Sequence, residues 1–498
     1  NPNATSQPDT NPTMTVIRID RNGRPVGSIA WFATHNTSIT QHNHLISSDH
    51  KGLASLQLER RMGRVSTLPG SNGFIAAFPN GDEGDMSPNI WRDFDQPVER
   101  RLNEFLKMAE IARRQLTTSD RLFNGPQQPL RGDIDFRHVF VRMPGLAVNS
   151  GARNVNGTNT LCDAGYGFSF AAGSEDGPSG WPYFKEGMRQ DSPELRNAGA
   201  GFAALNTFIS PLMAAALIGA QASIQQMNPC HAPKPVLIPT GPLGWAPTTL
   251  PFQILRIGGV ALVGIPGEMT IFAGRQLRNE LTLQLAPLGV HTVVLTGLAN
   301  EYSGYITTQA EYDLQHYEGA STVFGRLTFD AYRQIFGGLA DAMVRGQPVP
   351  PGPTPPDLSR GQLQLQTDVI ADDVPPFQSF GQVLMQPTSQ APTGATVRAV
   401  FRSGHPKNDL RRNASYLYVE WQSGNQWITV ADDADPETRL LWNRTDCPAC
   451  SRIEVQWTIP PTISPGRYRI RHVGAWKHGL TGAITPYEGV SDTFEVRR

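Results

Sequence analysis

ALVGIPGEMTIFAGRQLR (261–278) and TVVLTGLANEYSGYITTQAEYDLQHYEGASTVFG (292–325) are the stretches around which this chain is organised. Residues 260–265 form a short apolar, β-branched run, the pattern of a buried strand. Pro266-Gly267 ends it, and an amphipathic stretch begins at Met269. Glu268 therefore falls between a strand end and a helix start. Free backbone N–H groups and the helix dipole stabilise a carboxylate there, as an acceptor or a metal ligand. The pattern recurs: residues 292–296 read as a second strand, and 297–305 as a polar, aromatic loop leaving its end. In open α/β sheets, ligand chemistry gathers outside the carboxyl ends of the strands. Tyr302, Tyr305, Tyr312, Tyr317 and several carboxylates follow Glu268 closely.

Composition narrows the classes. A chain of 498 residues that is 39% apolar and 17% charged, with 48 Gly and 41 Pro, is globular and rich in turns, with two or three domains. The net charge of −1 gives no electrostatic case for nucleic acid or an anionic membrane. Only six Lys stand against 37 Arg, which reflects base composition more than function. No stretch reaches the ~20 apolar residues that span a bilayer. Residues 211–220 are too short for that and fit a core helix. The chain starts at Asn1, without a signal peptide or initiating Met, which reads as a mature, processed or shortened start. The expected location is secreted, periplasmic or cell-surface.

The four cysteines are too few to be the main scaffold. Cys162 and Cys230 could pair. Cys447-Pro-Ala-Cys450 is a CxxC, but a zinc site would need a second CxxC or a nearby histidine pair, and redox use would need a βαβ context. Its surroundings read as all-β, so a local disulfide or two structural thiols in an exported domain is the better reading. Sequons at Asn3, Asn36, Asn156, Asn413 and Asn443 suit secretion but are common by chance.

From the N-terminus, residues 14–19 and 26–32 flank Asn22-Gly23, a strong hairpin signal. The second strand runs into Thr34-His35-Asn36-Thr37-Ser38. A histidine at the end of a buried strand is a site-like arrangement, although a turn histidine capped by Thr37 or Ser38 reads as well. QHNHLISSDHK (41–51) holds three more histidines. His42-x-His44 has the look of a metal pair but lacks partners, so these are surface or substrate-rim groups. Residues 52–62 read as a helix that partly buries Leu53, Leu56 and Leu58. FIAAF (74–78) is a strand opening into a Gly-, Asp- and Asn-dense loop (79–89). Ser87 lies before a proline, in an extended conformation. It lacks the flanking glycines of a G-x-S-x-G elbow, so it reads as a hydrogen-bonding group rather than a nucleophile. Residues 95–116 form an amphipathic helix with an apolar face of Leu102, Phe105, Leu106, Ala109 and Ala112. A strand over 134–142 follows. Residues 159–177 line a cleft or pack tightly, 205–221 read as a buried helix, and 233–241 as a short strand.

RGQPVPPGPTPPDLSR (345–360) is the clearest linker, extended and semi-rigid. Beyond it the spacing of short strands over 396–402, 416–421, 427–431, 452–459, 468–473 and 493–496 predicts a β-sandwich of about 130 residues. The expected fold is an α/β (α+β) domain with mixed sheets over 1–344, a Pro-rich linker over 345–362, and an all-β immunoglobulin-like sandwich over 363–498.

Several motifs occur in order: FATHNTS with HLISSDHKG, GDMSPN, TLCDAGYGFSFAAGSEDG with FKEGM, PKPVLIPTG, GIPGEMTIFAGRQLR, and NEYSGYITTQAEYDLQHYEGAST. From about residue 11 to 336, and on into the sandwich, the chain resembles the neutral (alkaline, non-lysosomal) ceramidase family. The resemblance implies hydrolysis of the ceramide (N-acylsphingosine) amide to a sphingoid base and a free fatty acid by a zinc-activated water. The family's zinc is held by two histidines, a glutamate and a tyrosine, of which His35, Glu268 and Tyr305 are matched here. Tyr317 matches a tyrosine that hydrogen-bonds the substrate amide or its oxyanion. Ser87 matches a serine at the substrate headgroup, catalytic if it serves as the nucleophile. Cys162 and Cys230 fall where the family has a disulfide.

Zinc lowers the pKa of bound water and polarises the carbonyl, which an unactivated amide requires. Imidazole, carboxylate and phenolate are suitable donors, and a position left for water makes such a site catalytic. The family's other zinc histidine lies in an HxH motif upstream of THNTS that has no counterpart here. The expectation is therefore an associated N-terminal chain of the same precursor that supplies the fourth ligand. A related amidase acting on another N-acyl lipid, or a non-catalytic surface module, are the alternatives. The expected partner is a lipid substrate, with peripheral membrane contact compatible and no nucleic acid. A structural Ca²⁺ or Mg²⁺ has one weak candidate, Asp372-Asp373, whose commoner meaning is a surface acidic pair.

Overall fold

Parallel pairing of the two stretches quoted above builds the centre of the larger unit. The computed structural model describes residues 10–63, 73–93, 103–197, 221–359 and 368–498. The chain divides into two compact units, Asn1–Ser55 with Ala76–Leu365, and Leu56–Ile75 with Gln366–Arg498. In the first, a four-stranded sheet has the order Thr292–Thr296, Val260–Gly264, Thr249–Ile257, Ile134–Arg142. Val260–Gly264 runs parallel to Thr292–Thr296, in register from Val260↔Thr292 to Gly264↔Thr296. Both strands therefore deliver their carboxyl ends to one side. The other pairings are antiparallel.

Thr249–Ile257 is a strand that periodicity misses, because Pro251 reads as a strand breaker. The ladder to Val260–Gly264 covers only residues 253–257, so the missing proline N–H removes no bond there. Gly258 turns the chain between these strands. Its φ is +55°, and a Cβ would lie 2.1 Å from the Arg131 carbonyl oxygen, so no other residue fits.

Helices Ile271–Leu285 and Thr328–Val344 cover one face of the sheet. Leu277, Leu281 and Leu285 join Phe336 and Leu339 in one core with Phe252, Ile254, Val263 and Leu295. Phe252 meets Tyr332 and Phe336 edge-on at centroid distances of 4.9 and 5.3 Å. Each such side chain removed from water contributes about 1.5–3 kcal/mol. The N-terminal hairpin forms as expected, Thr15–Arg21 with Arg24–Trp31, with Asn22 and Gly23 both at positive φ. The Trp31 indole N–H donates to Thr296 Oγ1 at 3.0 Å and ties the hairpin to the central sheet.

The expected helix over 95–116 is described as Glu104–Asn124; residues 94–102 lie outside the described set. Its buried face is also corrected. Met108, Ile111, Ala112, Leu116 and Phe123 are buried, whereas Leu106 is 67% exposed. The helix runs further than its apolar residues suggested, and the added turns through Phe123 set the phase. Lys107 is buried on the same side in an ion pair with Asp93. Of the buried helix expected over 205–221, all but Gln221 lies outside the described residues. In the proline-rich stretch, Gln347 and Pro351 carbonyls accept from Arg137 Nε and Phe140 N, each at 2.8 Å, so this part runs along the Ile134–Arg142 strand.

Beyond residue 383 the second unit is built of β-strands, with one short 3-10 turn at Pro406–Asn408. One sheet has the order Val383–Met385, Thr396–Ser403, Ser451–Thr458, Thr438–Arg444. The other orders Gln390–Pro392, Phe494–Arg497, Gly466–Lys477, Leu417–Ser423 and Gln426–Asp432, with Ile484–Val490 also paired to Gly466–Lys477. Phe401, Ile453, Val455 and Trp457 from one sheet share a core with Leu417, Val419, Ile470 and Phe494 from the other. Ile484–Val490 escaped notice because Pro486 and Gly489 break its pattern. Asp372 is no open acidic pair: its carboxylate accepts from His405 N, Asn408 Nδ2, Lys477 N and Arg444.

Cys162–Cys230 and Cys447–Cys450 are disulfides. No helix among the described residues is long and apolar enough to cross a membrane. The Cys162–Cys230 bond closes a separation of 68 residues. Replacing both cysteines by alanine is expected to lower stability by about 4 kcal/mol through loop entropy. Urea unfolding of the double variant against wild type checks this; equal midpoints would contradict it.

Candidate functional site

Beyond the central parallel pair the two chains pair once more. Glu268–Met269 and Tyr305–Ile306 form a two-residue parallel ladder in which Glu268 faces Tyr305 in register. Glu268 N donates to Gly304 O at 2.9 Å. Gly304 makes this possible. Its φ is +74°, and a Cβ would lie 2.4 Å from Ser321 O. The next helix then starts at Ile271, and Thr270 N reaches Ile306 O. One expectation is corrected here. The helix N-terminus does not hold Glu268: Ile271 N donates to Asp85 Oδ1 at 2.8 Å, because the Pro79–Asn89 loop is inserted against this turn. Gly84 N bonds Met269 O, and a Cβ on Gly84 would strike the 269–270 peptide.

The Glu268 carboxylate is instead held by side chains. Tyr302 Oη donates to Oε1 at 2.7 Å, and His35 Nδ1 lies 3.2 Å from Oε2. His35 leaves the end of the Arg24–Trp31 strand, and its N–H bonds Met86 O at 2.8 Å. His35 Nε2 lies 3.3 Å from Gly84 O, which can accept its proton. With the single ring proton there, the Nδ1 lone pair and Glu268 Oε2 form a two-donor site for a cation; with Nδ1 protonated as well, the two make an ion pair. Tyr305 is nearly buried and Tyr317 crosses it edge-on at 5.6 Å. Burial, then the charge of Glu268, pushes the Tyr305 and Tyr302 phenols well above their usual range. The same causes push Tyr317 up to about 12. The phenols therefore keep their protons when no cation is bound.

The tyrosines divide by role. Tyr302, Tyr305 and Tyr317 reach the cluster, whereas Tyr312 is fully buried and donates to His231 O. His42 and His44 are exposed and remain outside it. Among the described residues, no group of three or more His, Cys, Asp and Glu side chains is placed to hold a metal ion. The groups that do converge are one imidazole, one carboxylate and the phenols of Tyr302, Tyr305 and Tyr317. Ser87 is exposed and donates to Asp176, which also accepts from Asn89 Nδ2 at 2.8 Å and Ser174 Oγ at 2.9 Å.

Several supporting residues were not anticipated. His50 Nε2 donates to His35 O at 2.7 Å, and Gln115 donates to its Nδ1, so this buried ring is neutral and fixes the His35 backbone. Burial holds its pKa down to about 4. Glu186, in FKEGM, accepts from Tyr317 N at 3.1 Å. Phe170 stacks on Tyr317 at 5.9 Å and touches Tyr166 at 4.3 Å, extending an aromatic wall from the cluster. The AGYGFSFAAG stretch therefore lines the site. Periodicity had no means of telling that from tight packing.

The N-terminal neutral/alkaline non-lysosomal ceramidase family model matches residues 3–334, and the C-terminal one matches 336–496. The chain belongs to the neutral/alkaline non-lysosomal ceramidase family. This makes it an amidohydrolase by family. It is 37% identical to neutral ceramidase B of Dictyostelium discoideum and 37% identical to the neutral ceramidase of Pseudomonas aeruginosa. Each match covers 97% of this chain and 69% of the relative. The crystal structure of the Pseudomonas aeruginosa neutral ceramidase matches with a TM-score of 0.76 at 33% identity, covering 98% of this chain and 72% of that one. A ceramidase complexed with C2 matches with a TM-score of 0.79 at 36% identity, over the same shares. The THNTS, PGEMT and NEYSGYITTQAEYDLQHYEGAST motifs are thus the segments that meet around Glu268.

Gly304→Ala tests whether the short ladder is strained into place. It is expected to cost about 1–3 kcal/mol and to lower ceramidase activity further than the loss of folded protein explains. Gly338→Ala is the control. It lies in the Thr328–Val344 helix with nothing within 4 Å of a new Cβ, and is expected to stabilise by about 0.5–1 kcal/mol. Thermal unfolding of both variants decides; a Gly304→Ala variant as stable as wild type contradicts the account.

Proposed function

We propose that this chain carries the active site of a zinc-dependent ceramidase, hydrolysing the amide of an N-acylsphingosine to a sphingoid base and a free fatty acid. The observation that carries the reading is the in-register pairing of Glu268 with Tyr305, which gathers His35, Tyr302 and Tyr317 around one carboxylate. The curated relatives are neutral ceramidases, and their chemistry suits this arrangement.

The donors fit zinc. Two atoms bound to one tetrahedral zinc at about 2.0–2.1 Å lie about 3.3 Å apart; His35 Nδ1 and Glu268 Oε2 are 3.2 Å apart. His35, Glu268 and Tyr305 would hold the ion, and we propose that an N-terminal chain of the same precursor supplies the remaining histidine. When bound, zinc would lower the pKa of a coordinated water and polarise the amide carbonyl. Tyr302 occupies Oε1 of Glu268 and so keeps Oε2 turned toward His35. Tyr317 retains its proton and can donate to the amide oxygen as negative charge develops there. Tyr166 and Phe170 offer an apolar wall beside the scissile bond, and Ser87 stands at the polar headgroup end. The two disulfides support a secreted, periplasmic or cell-surface location. We read residues 1–344 as the catalytic domain, 345–362 as the linker and 363–498 as an immunoglobulin-like sandwich.

Two substitutions in the complete enzyme test the roles. Glu268→Ala is expected to lower bound zinc and to reduce kcat/KM by more than the roughly 100-fold that loss of an outer-shell partner causes. Tyr317→Phe keeps zinc and is expected to lower kcat by roughly 10²–10³ with KM nearly unchanged. Elemental analysis beside ceramide turnover reads both. Full activity in either variant would overturn the role assigned to that residue.

A further inference from the structure

The hydrogen bonds around Ser87 leave a pattern that selects a headgroup. Asp176 lies in the two-residue turn of a small hairpin, Gly173–Ser174 with Gly177–Pro178. Gly173 at φ +79°, where a Cβ would lie 2.3 Å from Gly177 O, sets that turn. The carboxylate crosses to the other loop. Oδ2 accepts from Ser87 Oγ and Asn89 Nδ2, and Oδ1 accepts from Ser174 Oγ. An ionised carboxylate has about four acceptor positions, so one remains on Oδ1. Ser87 has committed its only hydrogen to Asp176 and one lone pair to Asn89 N at 3.0 Å, so one lone pair remains. Ser87 is exposed and Asp176 half-buried, so both free positions are open to a ligand. The pair adjoins the reacting groups: Met86, next to Ser87, accepts from His35 N.

We propose that Asp176 is a specificity-determining residue that, with Ser87, favours N-acyl lipids whose headgroup donates hydroxyl hydrogens and disfavours those whose headgroup carries a carboxylate. The inference rests on the amidase reading above and sharpens it. Ser87 and Asp176 together present lone pairs and a negative charge. A hydroxyl complements both. A carboxylate has no hydrogen to donate and meets like charge, reinforced by Glu268 beyond His35. The same pattern argues against Ser87 as a nucleophile. Its hydroxyl hydrogen is directed at Asp176, a weak base, and its free lone pair is left to accept.

The complete enzyme is assayed on three lipids with the same acyl chain: ceramide, its analogue without the primary hydroxyl, and an N-acyl amino-acid lipid with a carboxylate headgroup. Wild type is expected to prefer ceramide. Asp176→Asn is expected to lower kcat/KM for ceramide roughly 10- to 100-fold, mainly through KM, while the deoxy analogue changes by less than about twofold. The carboxylated lipid is expected to gain. Asp176→Glu keeps the charge and should keep the order of preference. Ratios between substrates within one preparation do not depend on how much protein is folded, and Asp176→Ser supplies the same neutralisation if Asp176→Asn yields none. A uniform drop on all three lipids would mark Asp176 as structural and overturn the inference while leaving the ceramidase reading intact. Unchanged ratios would do the same. A wild-type enzyme that prefers the carboxylated lipid, or cleaves none of the three, would overturn both.

Discussion

Two residues of parallel β-structure, Glu268–Met269 against Tyr305–Ile306, are the constraint on which the site depends. The pairing continues the direction of the central parallel strands beyond their ordinary end. It places a carboxylate, an imidazole and three phenols together. Glycine at 304 is required by the backbone angle and by the lack of space. Gly267 is equally confined, since a Cβ there would lie 2.5 Å from Gly304 O. The small residues of PGEMT and SGY are thus spacing elements that let two chains approach while their neighbours carry the chemistry.

A cluster of this kind does not stabilise a fold by itself. Keeping a carboxylate, an imidazole and several phenols together in a largely buried cluster is costly unless each is paired. The surrounding scaffold holds it: the Ile271–Leu285 and Thr328–Val344 helices over the sheet, and His50 and Gln115 beneath the His35 backbone. Nearby, Glu83 is fully buried, and its carboxylate has no donor from another residue among those described. Burial, reinforced by Glu268, pushes its carboxyl well up. Active sites commonly store such unfavourable arrangements, and the framework offsets them.

Patterns with a fixed period were legible. The runs 260–265 and 292–296 read as buried strands, Asn22-Gly23 as a hairpin turn, and five of the described sandwich strands within a residue or two of their ends, whereas Thr438–Arg444 was missed although no proline or glycine interrupts it. Signals spoiled by proline or glycine were not, as Thr249–Ile257 and Ile484–Val490 show. The residues that meet were legible where a motif held them, as with His35, Glu268, Tyr305 and Tyr317. They were illegible where the role comes from a distant partner. Asp85 displaces Glu268 from the helix N-terminus across 186 residues of chain, and Asp176 meets Ser87 across 89. Nothing local in GDEGD or GSEDG distinguishes the aspartates that make these contacts from their neighbours. The phase error in Glu104–Asn124 has the same origin, because the buried face was settled by turns beyond the segment first considered.

On the proposed reading, Glu268 and Tyr305 would share a zinc ion with His35. An anomalous difference map at the zinc edge, from crystals of the complete enzyme, tests it most directly. One strong peak is expected at about 2.0–2.2 Å from a His35 ring nitrogen and a Glu268 oxygen, with the Tyr305 hydroxyl in the same coordination shell. Crystals of an enzyme that cleaves ceramide, with zinc bound elsewhere or absent from this cluster, would contradict it.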